Sequence, residues 1–282
     1  MILVTGGTGR IGSELVRLLA AKAVPVRVLT RDASKAESLA RHGVEIAVGN
    51  MNDPRGLDAA MSGVGQVFLL SKEEPAQVEL QHNVVVAAVS AGVRRLVKVS
   101  AMGAGPDSPL REARWHARTE DEIAASGLAY THLRPNFFMH NLTIYAASLG
   151  DGVLSAPMGG SRISMIDHRD VAAAAAAVLT EPGHEHRSYT LTGPEALSFA
   201  EVADHLSRAL GHPIRYVNVS LEDARRKWLA LGIPVWRVDS FIDIHREYRT
   251  DWAAPVTTDV ADLVGRPARS LAAIAADLLG SR

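Results

Sequence analysis

The first half of the chain alternates between short apolar runs and longer segments with helical periodicity. Runs such as 67–70 carry few polar interruptions, which is typical of strands that are covered on both faces. The segment 11–21 instead repeats apolar residues three and four positions apart, as a helix with one buried face does. The pattern predicts strands at 1–4, 25–30, 44–48, 66–70, 95–100 and 129–133. It predicts helices between them at 11–21, 34–41, 54–61, 77–91 and 111–125.

Strands that are joined by helices pair in parallel through right-handed crossovers. We therefore expect a doubly wound parallel α/β sheet. Past residue 135 the alternation loosens into a small mixed α/β lobe. Helices are expected there at 135–148, 199–210, 221–231, 234–248 and 270–279, together with an alanine-rich helix capped by Asp170. Short strands are expected at 163–166, 188–191 and 214–219.

A glycine-rich turn stands between the first predicted strand and the first predicted helix. Residues 4–12 read Val-Thr-Gly-Gly-Thr-Gly-Arg-Ile-Gly, which is a Gly-x-x-Gly-x-x-Gly spacing. Glycines permit a tight turn and close approach to a pyrophosphate, and the N-terminus of the following helix offers free N–H groups. The turn predicts a dinucleotide site of the Rossmann type over 1–150, with an interleaved substrate lobe over 151–282. The alternative is a turn with a structural role only.

The end of the second predicted strand bears on the choice of dinucleotide. A carboxylate there binds the ribose 2′-OH of NAD, whereas an arginine accommodates the 2′-phosphate of NADP. The strand ends in Thr30-Arg31, and Lys35 lies one turn into the next helix. Asp32 would repel a phosphate unless its carboxylate faces the start of that helix, which we expect. These charges favour NADPH, and the alternative is that Arg31 and Lys35 are solvated surface charges.

Composition narrows the range of partners. The 282 residues include 30 basic and 31 acidic ones, so no global field favours nucleic acid or a membrane surface. The chain has no cysteine, which excludes disulfides and thiolate chemistry. The apolar run 171–179 is too short to span a bilayer, and no basic leader precedes the first strand. We expect a cytoplasmic protein that binds neither nucleic acid nor membrane and holds no metal.

The ordered set of motifs resembles the NmrA-like branch of the atypical short-chain dehydrogenase/reductases. Besides the glycine-rich turn, the motifs are Thr30-Arg31-Asp32 with Lys35, Gly49-Asn50, Val97-Lys98-Val99-Ser100, His116-x-x-x-Glu120, Ser126-Gly127-Leu128-x-Tyr130-Thr131-x-Leu133-Arg134-Pro135 and Phe138-Met139-x-Asn141. The likeness covers essentially the whole chain. Within that branch the chain is most similar to NADPH-dependent quinone oxidoreductases and azo-dye reductases, which work without flavin.

The resemblance implies a set of cofactor contacts. Those with the pyrophosphate come from Gly6, Thr8, Gly9, Arg10 and Ile11. The resemblance also implies Arg31 and Lys35 at the 2′-phosphate, Asn50 and Met51 near the adenine, and Leu70 and Ser71 beside the ribose. We add Pro135 and Phe137, because a loop that follows the strand at 129–133 would lie over the nicotinamide.

The acid/base pair of the wider superfamily, Tyr-x-x-x-Lys, is missing. Counted back from Glu120, Glu112 stands where the tyrosine would be and His116 stands where the lysine would be. The serine of the superfamily site is present as Ser100. Carbonyl–alcohol interconversion and nucleotide-sugar epimerisation are therefore disfavoured. His116 is the best remaining proton donor, because the unperturbed pKa of histidine is about 6.5. Glu112 and Glu120 share its helix face and are expected to hold the imidazole protonated. Alternatively, His116 only hydrogen-bonds the nicotinamide ribose or caps a loop.

An aromatic and sulfur-rich set predicts a wall for a flat aromatic substrate. Its members are Met102, Trp115, Phe137, Phe138, Met139, Met165 and Trp236, with Asn141 nearby. Core packing is the alternative, and it is favoured for Met139 and Met165.

The sequence thus predicts an NADPH-dependent reductase that passes a hydride to quinones or azo compounds. The alternative is an NADP(H)-binding redox sensor with little or no catalysis. The missing tyrosine favours this alternative, because a sensor needs no acid/base residue. Pairing of the long helices at 77–91 and 111–125 across a two-fold axis would make the protein a homodimer.

Overall fold

The computed structural model describes residues 1–40 and 43–280. The strands are β1 (Ile2–Val4), β2 (Val26–Thr30), β3 (Glu45–Val48), β4 (Gln66–Leu69), β5 (Arg95–Val99), β6 (Ala129–Pro135), β7 (Val153–Ala156), β8 (Arg162–Ile163), β9 (Arg187–Leu191), β10 (Leu197–Ser198) and β11 (Arg215–Asn218). The α-helices are α1 (Arg10–Ala21), α2 (Glu37–Ala40), α3 (Pro54–Met61), α4 (Gln77–Ser90), α5 (Arg111–Ala125), α6 (His168–Thr180), α7 (Phe199–Leu210), α8 (Leu221–Ala230), α9 (Val235–Tyr248), α10 (Asp259–Val264) and α11 (Leu271–Gly280). Two 3-10 helices span Ala33–Ala36 and Met139–Asp151.

The central sheet has the strand order β3-β2-β1-β4-β5-β6-β9. The pairs from β3 across to β6 are all parallel. The chain builds the sheet outward from β1 in one direction and then, from β4, in the other. The order therefore reverses between β1 and β4, and ligands of such sheets bind outside the carboxyl ends of the strands at this point. The predicted doubly wound α/β sheet is confirmed.

The first of two compact units comprises Met1–Ser108, Glu112–Pro135 and His168–Thr190. One face of its sheet is covered by an apolar cluster that joins the strands to α3, α4 and α5, with Leu3, Leu57, Val67, Val84 and Ile123 all at 0% exposure. The helices α1 and α6 pack against each other. Strand β1 is buried along its whole length, which explains its continuous apolar sequence. Strand β5 is buried as completely, although it carries Arg95 and Lys98.

The second unit comprises Pro109–Arg111, Asn136–Asp167 and the chain from Leu191 onward. Strands β7 and β11 pair in parallel, and β8 and β10 pair antiparallel. Helix α7 packs on α11, and α8 packs on α9. The chain passes between the units several times, so that α6, which lies beyond residue 150, belongs to the first unit. A division of function near residue 150 stays a prediction.

Four local predictions differ from the structure. The strand expected over 163–166 is β8, which ends at Ile163. The helix expected over 34–41 is a 3-10 helix followed by the short α2, and Arg41 lies outside the described residues. Strand β6 runs on to Pro135, and the helix expected to open there is a 3-10 helix that begins at Met139. Asp170 is wrong as an N-cap, because α6 already begins at His168. An acidic residue suits the first turn of a helix as well as the cap, so the sequence did not distinguish the two positions.

The structure adds three elements that the sequence pattern did not predict, β7, β10 and α10. They are short, at four, two and six residues, so none shows its period over enough positions to be recognised. Among the described residues, no helix has both the length and the hydropathy needed to cross a bilayer.

Candidate functional site

The glycine-rich turn connects β1 to α1 so closely that it leaves no room for a side chain on Gly12. A Cβ atom on Gly12 would lie 2.2 Å from the carbonyl oxygen of Gly6. Gly6 itself has a φ of +64°, which glycine adopts without strain. The buried Thr5 hydroxyl lies 2.8 Å from both the carbonyl oxygen and the amide nitrogen of Leu70, which ties the turn to the end of β4. The backbone of the turn can therefore approach a ligand directly.

The N-terminus of α1 presents backbone N–H groups that no side chain caps. Its N-cap is Gly9, the first turn carries no acidic residue, and there is no side-chain hydrogen bond at the cap. Thr8, Gly9 and Arg10 are exposed. Free N–H groups and the positive end of a helix dipole form a donor set for anions, so the residues of this turn fit the pyrophosphate of a dinucleotide.

Two cations stand at the end of β2. Arg31 is exposed and makes no hydrogen bond or ion pair within the part of the chain that the structure describes. Lys35 is exposed in the 3-10 helix that follows. The carboxylate of Asp32 accepts hydrogen bonds from the backbone N–H of Ser34 at 3.0 Å and from its hydroxyl at 2.6 Å. These bonds lower the pKa of Asp32 and turn it toward the start of the helix, as expected.

Further predicted cofactor residues follow β3 and β4. Asn50 is exposed and Met51 is half-buried in the loop after β3. Leu70 and Ser71 come directly after β4, and the Ser71 hydroxyl accepts a hydrogen bond from the Gln81 amide at 2.7 Å. Since the strands are parallel, these loops lie at the same sheet edge as the glycine turn and the end of β2.

A fully buried lysine contacts the predicted catalytic histidine. Lys98, on β5, is 0% exposed, and its Nζ lies 2.6 Å from Nδ1 of His116 on α5. Burial lowers the pKa of Lys98 to about 7. Burial and the neighbouring Lys98 charge together hold the pKa of His116 well below its usual range. The amide nitrogen of Gln77 lies 3.4 Å from each ring nitrogen.

The expectation that Glu112 and Glu120 hold His116 protonated is wrong. Glu120 forms a two-point ion pair with Arg134, one bond of which measures 3.0 Å between Nε and Oε1. The charged side chain that contacts His116 is the cation Lys98, which disfavours a second positive charge on the ring, so the imidazole is neutral at pH 7. The spacing along α5 correctly predicted which residues share a helix face. It did not predict that Lys98 of β5 lies against His116 on that face.

Lys98 belongs to the motif Val97-Lys98-Val99-Ser100, but the motif by itself does not indicate a role for the lysine. The signal was nevertheless present, because Lys98 is the one charged residue in the otherwise apolar run 96–99. Ser100, the other predicted catalytic residue, follows β5 at 4% exposure, and its backbone N–H donates to the carbonyl of Leu133 at 2.7 Å.

The residues predicted for the nicotinamide and the substrate are divided between the two units. In the first unit, Pro135 ends β6, its carbonyl accepts a hydrogen bond from the Met102 N–H at 3.0 Å, and Trp115 is half-buried on α5. In the second unit, the ring of Phe137 is 7% exposed and packs edge-on against Tyr248.

The remaining predicted substrate residues lie in the second unit and are half-buried: Phe138, Asn141 and Trp236. Met139 and Met165 are 2% and 1% exposed, which agrees with the core-packing alternative. Contact of this whole set with one substrate stays a prediction.

Comparisons with known proteins match the chain along nearly its whole length. NAD(P)H azoreductase from Xenophilus azovorans is 43% identical over 276 residues, which are 98% of this chain and 96% of that protein. Quinone oxidoreductase 2 from Escherichia coli (strain K12) is 32% identical over 277 residues, 96% of each chain. The solved structure of the E. coli NADPH-dependent quinone oxidoreductase QOR2 in complex with NADPH has a TM-score of 0.91 at 31% identity. That match covers 99% of this chain and 100% of the other.

The NmrA-like family profile matches residues 1–256. This range contains the central sheet, the glycine turn, the end of β2 and the Lys98–His116 contact. The chain belongs to the NmrA-like family.

Proposed function

We propose that the protein is an NADPH-dependent reductase that transfers a hydride directly to quinones or azo compounds, without a flavin. The observation that carries this proposal is the donor set at one sheet edge: the tight glycine turn, the uncapped start of α1 and the unpaired Arg31. The names of the azoreductase and quinone oxidoreductase relatives support the enzyme class and the electron-poor acceptor.

The first unit supplies all the groups that we assign to the cofactor except Phe137, which belongs to the second unit. The uncapped N–H groups at the start of α1, with Gly6 and Thr8, bind the pyrophosphate. Arg31 and Lys35 bind the 2′-phosphate through charge-assisted hydrogen bonds, because a guanidinium matches phosphate geometry. We assign Asn50 and Met51 to the adenine, Leu70 and Ser71 to the ribose, and Pro135 and Phe137 to the nicotinamide.

NADPH, when bound, supplies the hydride. Hydride addition leaves the acceptor with one negative charge, so the protein has to provide one proton. The neutral His116 accepts a hydrogen bond from Lys98 on Nδ1, which leaves its own proton on Nε2 as a donor. We assign Ser100 to the acceptor as a second donor. For the acceptor wall we retain Met102, Trp115, Phe138, Asn141 and Trp236.

A cytoplasmic location and a homodimer formed through α4 and α5 complete the proposal. The balanced charge supports the former. The length of the two helices, 14 and 15 residues, supports the latter.

The test measures NADPH binding and NADPH oxidation separately. We expect calorimetry to detect tight binding of NADP⁺, and absorbance to follow oxidation of NADPH, without added flavin, by at least one acceptor in a panel of quinones and azo dyes. Tight binding without oxidation by any acceptor would support the redox-sensor alternative. Absence of heat with either nucleotide, from a folded sample, would refute the proposed site itself.

A further inference from the structure

The inference concerns the buried Lys98 and rests on the proposed function. A lone ammonium in the interior is costly unless opposite charge accompanies it. Lys98 is 0% exposed, and besides His116 its Nζ contacts only the carbonyl oxygen of Val99, at 3.3 Å, among the hydrogen bonds of the described chain. Its position on a central strand therefore requires an explanation beyond packing.

Four titratable or charged groups face this ammonium. From α5 come His116 and Glu120, and from β6 come His132 and Arg134. Burial lowers the pKa of His132 to about 4, so both histidines are neutral at pH 7. Glu120 is the single carboxylate of the set, and Arg134 already binds it through two hydrogen bonds. With Lys98 protonated, the cluster carries one positive charge in excess, so that loss of a proton from Lys98 relieves repulsion.

The same geometry aims that proton at His116. The 2.6 Å separation between Nζ and Nδ1 is a short hydrogen bond, and the only proton of the neutral ring is then on Nε2. A ring with one nitrogen facing an acid and the other carrying a proton can take up a proton on one side while it releases one on the other.

We propose that Lys98 and His116 form a proton relay, in which the Lys98 ammonium supplies, through the His116 imidazole, the proton that the reduced acceptor needs. After hydride transfer the acceptor is an anion. The Nε2–H bond of His116 breaks as an O–H or N–H bond forms on the acceptor, and the Nζ–H bond of Lys98 breaks as an Nδ1–H bond forms on His116. The imidazole stays neutral and Lys98 becomes a neutral amine. Before the next turnover a proton from solvent adds to Nε2 of His116 as the Nδ1 proton returns to Lys98, which restores the starting state. Lys98 does not itself touch the acceptor.

A purely structural role for Lys98 is disfavoured by the same contacts. Arg134 already compensates the charge of Glu120, and a methionine would fill the same space without the cost of burying a charge. The relay and the structural role differ in whether Lys98 changes its protonation state near neutral pH.

The first experiment measures that state in the nucleotide-free protein, independently of any reaction. With ¹³C-labelled lysine, the Cε resonance of Lys98 should titrate with a midpoint near pH 7. A lysine model peptide serves as the reference, because its ammonium titrates at about pH 10.4. The Lys98→Met variant assigns the Lys98 signal. A midpoint for Lys98 above about 9 would overturn the relay while leaving the proposed reductase activity untouched.

The second experiment follows kcat against pH with an azo acceptor, because the basic nitrogen anion that hydride addition forms there depends strongly on a proton donor. In the wild type kcat should fall as the pH rises through about 7, since the ammonium is the form that donates. Lys98→Met should lower kcat about tenfold or more and remove this fall, because general acid catalysis contributes about 10²–10⁴-fold. The Kd for NADPH should change less than about twofold.

Lys98→Arg is the matched control, because arginine keeps the positive charge but does not release a proton near pH 7. It should be as slow as Lys98→Met. Recovery of wild-type kcat by Lys98→Arg, or loss of NADPH affinity in step with kcat, would overturn the relay in favour of an electrostatic or structural role. If either variant does not fold, the titration of the wild type still decides. A wild type that oxidises no NADPH with any acceptor contradicts the proposed function rather than the titration.

Discussion

Arg31 is the residue on which the proposed choice between NADPH and NADH depends. Its guanidinium is exposed at the end of β2 and is unpaired within the described chain, whereas the nearby Asp32 carboxylate is bound to Ser34. The acid that would repel a phosphate is therefore turned away, and the cation that would bind it is available. This local arrangement explains how an Arg-Asp sequence is compatible with NADPH.

Replacement Arg31→Ala should weaken NADPH binding about tenfold or more, because hydrogen bonds to charged groups contribute about 1.5–3 kcal/mol. NADH lacks the 2′-phosphate, so its Kd should change little. Calorimetry with both nucleotides measures the difference. Arg17→Ala is the matched control, since Arg17 is an exposed arginine on α1 that pairs with Glu14. Equal weakening of NADPH and NADH binding by Arg31→Ala would contradict the assignment of the 2′-phosphate site.

At the scale of elements, the junction of β1, the turn and α1 depends on backbone contact. Gly12 lies in the first turn of α1, where an added Cβ would be 2.2 Å from the Gly6 carbonyl oxygen and 2.6 Å from the Gly7 Cα. Backbone atoms do not move aside as the end of a flexible side chain does. The helix therefore has to retreat from the turn, which displaces the N–H groups that we assign to the pyrophosphate.

Gly12→Ala should lower the free energy of unfolding by about 1–3 kcal/mol, the usual cost of overpacking, and should weaken NADPH binding as well. Thermal unfolding and calorimetry measure the two effects. Gly160→Ala is the matched control, because a Cβ there meets nothing within 4 Å and the backbone is not left-handed. A Gly12→Ala variant with the melting temperature and NADPH affinity of the wild type would contradict this account of the turn.

At the scale of the whole molecule, buried neutral histidines make stability depend on pH. His245, on α9, is 3% exposed; its Nε2 accepts a hydrogen bond from the Tyr145 hydroxyl and its Nδ1 donates to the Phe241 carbonyl. Burial lowers the pKa of His245 to about 4. Between that value and about 6.5, the pKa of a solvated histidine, the unfolded chain binds more protons than the folded one.

The free energy of unfolding should therefore fall as the pH falls from about 6.5 to about 4. His245 alone should account for about 3 kcal/mol, at about 1.4 kcal/mol per pH unit. Urea unfolding at pH values between about 4 and about 7, which cover the span between the two pKa values, tests this. His245→Gln should reduce the slope, whereas His212→Gln, at a half-exposed position, should leave it unchanged. An unaltered slope in His245→Gln would show that this histidine does not contribute.

The sequence alone was sufficient for features that depend on near neighbours in the chain. The alternation of apolar runs and helical periods predicted the parallel sheet, and the glycine spacing predicted the turn at its centre. The orientation of Asp32 was also predictable, because its partner Ser34 is two residues away. Such features follow from backbone geometry and capping, which act within one helical turn.

The proton chemistry depended on contacts that the tertiary structure alone brings about. Lys98 and His116 belong to different elements, β5 and α5, and meet only in the folded chain. Glu120 shares a helix face with His116, but in the folded chain it pairs with Arg134 of β6 instead. Helical spacing therefore predicted a protonated imidazole, and packing made it neutral. The physical reason is that the pKa of a buried group depends on lost solvation and on charges from other elements, neither of which is encoded within one turn of the chain.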